Sequence, residues 1–434
     1  MPSSADDIAH LLRRSGFVAT QARIDELTPL DLASAVDRVL DTSANPDDTP
    51  PASVMVRASD TWRQIVTAGN WWLDRMVNTP TPIVEKMTLF WHGHFTSAYE
   101  KTNQPPELVA QNRLYRANAL GDFRTLCQSM AVTGAMLRYL DNADNVAGEP
   151  NQNFARELME LFMLGVGNYT EADVDAAARA WTGHNTVSWD DPRYVFKPEN
   201  HDNGDKTFFG VTRNWDGPEI IDEILTNPTK RPIVARFIAR KLWEFFAYQR
   251  PADSIVSALA DAFMASNLSI RELLRALFTR PEFYSTQAKQ GLVRTPVEYV
   301  VATLKGLGMS ADPAHPEWFA EPMGQMLFNP PNVAGWKQNA YWVNSSAFTG
   351  RAEFARNLTW ALYQFGFWSD VQQMSVDAAI DRAAQTFSIH PLSSTTRAAL
   401  VNWLNAQRSV PYRGWAEGPN LLTMILLTPE MHVA

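Results

Sequence analysis

The sequence predicts a mainly α fold: a large single-domain helical array over residues 1–434, with one small β-hairpin and loop insertion around residues 185–210. Three observations carry this. Apolar residues recur at helical spacing through RASDTWRQIVTAGNWWLDRMV, RPIVARFIARKLWEFFAY, DSIVSALADAFMAS, IRELLRALF, PVEYVVATLKGLG and TTRAALVNWLNAQR. Helix start and stop signals flank such stretches. Strand-like alternation is confined to TVSW and RYVFKP, between Asn185 and Phe209.

Taken in order, Thr28-Pro29 and Thr81-Pro82 each place an N-cap before a proline at the first turn of a helix. Gly165 follows FARELMELFML, where a helix C-terminus belongs. Thr170 begins TEAD, a capping-box-like start. The Pro/Asp-rich stretches Thr42–Ser53 and Asp141–Pro150 read as loops. Arg250-Pro251 is the place where a subdivision would fall, although nothing there resembles a flexible linker.

At 434 residues, 45% hydrophobic and 20% charged, the chain can bury a large core. A formal charge of -9 lacks the basic footprint of nucleic-acid binding. No apolar run approaches the roughly 20 residues of a membrane span. Met1 to Arg14 contain no apolar signal core, which implies a cytoplasmic protein as numbered, or an exported one if a signal preceded residue 1. The lone Cys127 excludes an intramolecular disulfide and reads as a small core residue. The fifteen tryptophans fall mostly at core spacing. No nucleotide or flavin motif, G-x-S-x-G elbow or H-E-x-x-H is present.

The chemistry-bearing residues crowd between Glu85 and Lys206. On a helical wheel NFARELMELFML is apolar nearly all round, so Glu157 and Glu160 become buried or half-buried acids one turn apart. Such acids need a cation, a metal or a proton. Arg156 or Arg179 would neutralise them structurally; metal ligation or acid/base chemistry is the alternative. In PIVEKMTLFWHGHF, His92 shares a face with Glu85 and Thr88, whereas His94 lies about 160° away among apolar residues unless Gly93 breaks the helix. NHDNGDKTFFG places His201, Asp202, Asp205 and Lys206 on a loop, as an Asx-type turn or as a metal-capable set.

These segments, with HLLRRSGF from His10, AMLRYLDNADN from Ala135, LFTRPEFY from Leu277, VRTPVEYV from Val293 and NPPNVAGWKQNAYWVNSSAFTGR from Asn329, resemble a bacterial family called domain of unknown function 1800. The resemblance covers nearly the whole chain and implies a single helical unit. It also implies export beside a sulfatase-like operon partner, and it supplies no catalytic assignments. Lys337-Gln338-Asn339 departs from the Pro-Gly-Gly-like turn usual after the tryptophan.

The expected function is a metal-dependent hydrolase or oxidoreductase. His92, Glu157, Glu160 and His201 would be catalytic. Glu85, His92, Glu157, Glu160, His201 and Asp202 would hold a divalent Mn, Fe or Zn ion. The alternative is a non-catalytic binding or assembly protein for the operon partner, with Pro330 to Trp336 as a recognition loop.

Overall fold

A computed structural model describes residues 4–46, 49–188, 191–289, 291–364, 368, 370–389, 391–410 and 416–434. Met1–Ser3, residues 47–48 of the Thr42–Ser53 stretch and Trp189 of TVSW lie outside the described residues. Helix takes 62% of the structure, about twice the share of an ordinary globular domain, and the fold is mainly α.

The elements that position the site are α1 (Ala5–Ser15), α2 (Thr61–Asn78), α3 (Pro82–His94), α4 (Pro105–Ala117) and α5 (Asn153–Glu157). They continue with α6 (Glu171–Ala180), α7 (Arg231–Phe246), α8 (Asp253–Ala265), α9 (Pro296–Leu307), α10 (Glu317–Met323) and α11 (Ser345–Gln364). Helix α6 starts at the expected capping box, with Thr170 and Asp173 each bonded to the other's backbone N–H. Thr28-Pro29 differs from expectation. Thr28 ends the helix Gln21–Leu27, its hydroxyl donating to Ile24 O, and the next helix starts three residues later on the cap Asp31. Asp31 has the better claim because its carboxylate reaches both Ser34 N and Ser34 Oγ.

The expected hairpin is present as β1 (His184–Thr186) against β2 (Tyr194–Phe196), with His184 opposite Phe196. A second hairpin, β3 (Lys206–Phe208) with β4 (Val211–Arg213), was not anticipated from the sequence. Its two-residue loop, Phe209-Gly210, has positive φ at both positions (47° and 81°), as a type I′ turn requires. The usual signal there is Asn-Gly; here a phenylalanine takes the left-handed position, stacked on Phe208 and beneath the Lys230 ammonium.

Apolar side chains form two cores. One gathers residues from Ile8 to Ala288, and the other joins α2 to α9 and α11 and the C-terminal helices. Helix α3 stands between them, giving Ile83, Met87 and Trp91 to the first and Leu89 to the second. Helices α7 and α8, on either side of Arg250-Pro251, both lie in the first core. No helix among the described residues is long and apolar enough to cross a membrane.

Burial, with Arg14 and Arg13 nearby, pushes His10 down to about 2, and burial pushes His92 and His432 down to about 3. Each ring is therefore neutral in the fold but protonates in the unfolded chain below its ordinary 6.5. Their contribution to stability is complete above pH 6.5 and is lost as pH falls toward 3. Thermal unfolding midpoints should drop as pH is lowered through that window. His10→Phe, which takes one titrating ring out of the core, should make the drop shallower; an unchanged slope would remove His10 from this account.

Candidate functional site

Helix α3 runs unbroken through Gly93, so His92 and His94 face opposite sides. Glu85 is fully buried, and its oxygens are taken by Arg116 (Nε 2.6 Å, Nη2 3.0 Å), Arg75 Nε (3.2 Å) and Trp72 Nε1 (2.9 Å). His92 packs on Trp72, Phe328 and Trp336. Its Nε2 accepts the backbone N–H of Phe328 (3.1 Å), which places the ring proton on Nδ1.

In the loop after β2, His201 Nδ1 donates to Thr182 O (2.8 Å). Asp202 pairs with Arg179 (2.6 Å) and accepts the N–H of Gly204 (2.8 Å). Lys206 is buried, and its ammonium binds Asp202 O, Asn214 Oδ1 and Trp215 O. Asp205 is exposed. The loop ties itself together and needs no ligand to hold its shape.

Glu157 and Glu160 sit together, half-buried, where α5 widens into a π-helix over Leu158–Met163. A π turn advances less per residue than the 100° wheel assumes, and such turns favour functional sites. Neither expected arginine pairs directly with the two glutamates: Arg156 turns to Glu171 (2.7 and 2.8 Å) and acts on Glu157 and Glu160 only through its charge, and Arg179 turns to Asp202. Tyr169 donates to Glu160 Oε2 (2.5 Å). Burial and the charge of Glu160 raise the Glu157 carboxyl above its ordinary range.

The six expected ligands thus occupy three environments. Glu85 and His92 meet across Trp72, Glu157 and Glu160 share the π turn, and His201 and Asp202 share their loop. Among the described residues, no three His, Cys, Asp or Glu side chains are grouped to hold a metal ion.

A different constellation forms on the other face of α3. The π-helix ends with carbonyls that no later N–H reaches, and two side chains fill them. His94 Nε2 donates to Phe162 O (3.0 Å), and Lys241 of α7 donates to Leu161 O (3.2 Å). Lys241 Nζ also donates to His94 Nδ1 (3.0 Å). Burial holds His94 well below its ordinary range, with the Lys241 charge adding to it, so the imidazole is a neutral acceptor. Burial also pushes the Lys241 amine down to about 8, against the pull of Glu244 one turn further along α7. No carboxylate lies within ion-pair distance of Lys241 among the described residues.

Both groups line a cleft that opens to solvent. Its other walls include Glu244, Phe90, Gln325, Trp336 and Gln338. The loop after α10 closes it by docking on α3, where a Cβ on Gly335 (φ +75°) would stand 2.1 Å from Gly93 O. Trp336 is buried by that contact, while Pro331 and Asn332 remain exposed. Residues of KMTLFWHGHF, ARFIARKLWEFF and NPPNVAGWKQN meet here. Sequence reasoning passed over Lys241 because on the wheel it is an ordinary polar position of an amphipathic helix; its hydrogen bonds to His94 and Leu161 are tertiary properties.

His184, also passed over, spans from Tyr194 Oη (2.9 Å) to Asp216 Oδ1 (2.8 Å) and hooks the first hairpin to the cap of the helix Gly217–Thr226.

Glu85 supplies a test of its structural role. Glu85→Leu leaves Arg116 buried without its carboxylate and should cost about 3–5 kcal/mol in denaturant unfolding. A loss below about 1 kcal/mol would show that the arginines find other partners.

Neither the curated proteins nor the solved structures give a match. The sequence profile of one family, described as "Protein of unknown function (DUF1800)", matches residues 10–433, and it spans every element that builds the cleft. The chain belongs to the DUF1800 family.

Proposed function

We propose that the chain is a lysine-dependent enzyme acting on carbonyl compounds, with Lys241 as the amine that adds to the substrate. The observation that carries this reading is a half-buried ammonium at a cleft, hydrogen-bonded to a carbonyl and a neutral imidazole and lying over the Phe237 ring, with no carboxylate paired to it among the described residues. With the amine near 8, roughly a tenth is neutral at pH 7. The neutral form has two N–H bonds, and Leu161 O and His94 Nδ1 accept both, leaving the lone pair for a third direction. Addition of nitrogen to the carbonyl carbon, followed by loss of the oxygen as water, gives an imine. Glu244 lines the same cleft and supplies a carboxylate to carry the proton between nitrogen and departing oxygen.

The test uses butanal and cyanoborohydride, with intact mass and peptide mapping as the readout. A reduced adduct should form on Lys241 faster than on surface lysines, with a rate that rises with pH and is half-maximal near pH 8. Lys241→Arg, which keeps a cation for Leu161 O, should remove that adduct while the protein stays folded. Adducts on surface lysines with none on Lys241 would overturn the proposal.

A second reading is favoured by Glu157 and Glu160, two half-buried carboxylates that no arginine pairs with directly among the described residues. These two carboxylates would hold a divalent Mn, Fe or Zn ion, which supplies a Lewis acid for hydrolysis or oxidation. Elemental analysis should then find stoichiometric metal that a folded Glu157→Gln/Glu160→Gln variant lacks. Equal metal content in both proteins would overturn it.

A further inference from the structure

We infer that the substrate of the Lys241 cleft is a carbonyl compound bearing an apolar tail, seated across Gln325. This rests on the reading of Lys241 given above. A second, narrow cleft is walled by apolar side chains, including Ile65, Leu73, Val300, Met323 and Leu327. Gln325 lines both clefts.

Gln325 is 4% exposed, and its orientation is set: Oε1 accepts the N–H of Val297 (3.0 Å). The NH2 end therefore points elsewhere, and no acceptor within the described residues takes it. That donor keeps solvent contact, so it is open to a ligand oxygen entering the cleft. Gln325 belongs to both clefts, so an oxygen bound to its amide stands where they adjoin, and the tail of the carbonyl compound extends into the apolar one. Gln325 is thus a positioning residue that orients and polarises the carbonyl, and the apolar cleft is a tail site. Each methylene moved from water into such a cleft favours binding about fourfold.

The experiment compares butanal, octanal and decanal in reductive trapping on the intact protein, with the concentration for half-maximal Lys241 adduct as the readout. That concentration should fall at least about tenfold from butanal to decanal. Ala320→Phe, which fills the tail site from α10, should abolish the chain-length effect and leave butanal trapping unchanged. Gln325→Glu keeps the acceptor for Val297 N–H but removes the donor, and should slow trapping for every chain length. A flat chain-length dependence, with butanal still trapped at Lys241, overturns the tail site and leaves the lysine reading standing. If no aldehyde is trapped at Lys241, the lysine reading fails. Calorimetry with decanol, which has a tail but no carbonyl, then decides the apolar cleft alone: binding lost in Ala320→Phe supports it, and no binding overturns it.

Discussion

The structure depends first on a buried ion pair between Lys86 of α3 and Glu298 of α9. Both are almost fully buried, so each needs the other. Lys86 also donates to Gly16 O at the end of α1 (3.0 Å). Beside it, Arg14 donates to Phe245 O and Phe246 O (both 2.6 Å) at the end of α7. Two helix C-termini, each with unpaired carbonyls and the negative end of a dipole, therefore converge on cations that one carboxylate alone would not balance. Burial opposes ionisation of Glu298, but Lys86 and Arg14 hold its carboxyl below the ordinary range. This junction fixes α3 against α7 and α9. The cleft lies between those same helices, so the geometry of His94 and Lys241 follows from a salt bridge that takes no part in it.

The second constraint is close approach. Gly335 lies against the backbone of Gly93, and Phe328, at positive φ, presents its N–H to His92. A protonated His92 could not accept that bond, so its neutrality is a packing requirement as much as a result of burial. Together these contacts hold the loop after α10 on α3 and bring Gln325 and Trp336 to the cleft mouth.

Much of the fold was legible. Helical periodicity, the capping box at Thr170 and the glycine stop at Gly165 are local signals, and the chain obeys them. Thr28-Pro29 misled because Asp31, three residues on, offered a stronger cap; the second hairpin was hidden by a phenylalanine where asparagine is usual. The site was read less completely. Wheel geometry correctly separated His92 from His94 and put Glu85 and His92 on one face, where both touch Trp72. It could not show that Arg75 and Arg116, from α2 and α4, enclose Glu85. Nor could it show that Gly93 serves the approach of another loop rather than a break in its own helix. Partners distant in sequence decide whether a polar residue is structural, and a single sequence carries no record of them.

Three lysines, two buried and one half-buried, show what that decision looks like physically. Lys86 has a carboxylate, and Lys206 has three oxygen acceptors arranged by its own loop. Both environments favour the ammonium and occupy it from several sides. Lys241 has one carbonyl and a neutral ring, and it borders a cleft instead of a closed core. Capping the π-helix accounts for its bond to Leu161 O, but a cap would be stronger with a fully charged, solvated ammonium. The arrangement instead weakens the charge, setting the nitrogen over the Phe237 ring with no carboxylate paired to it among the described residues. That combination weakens a purely structural cation and suits a nucleophile.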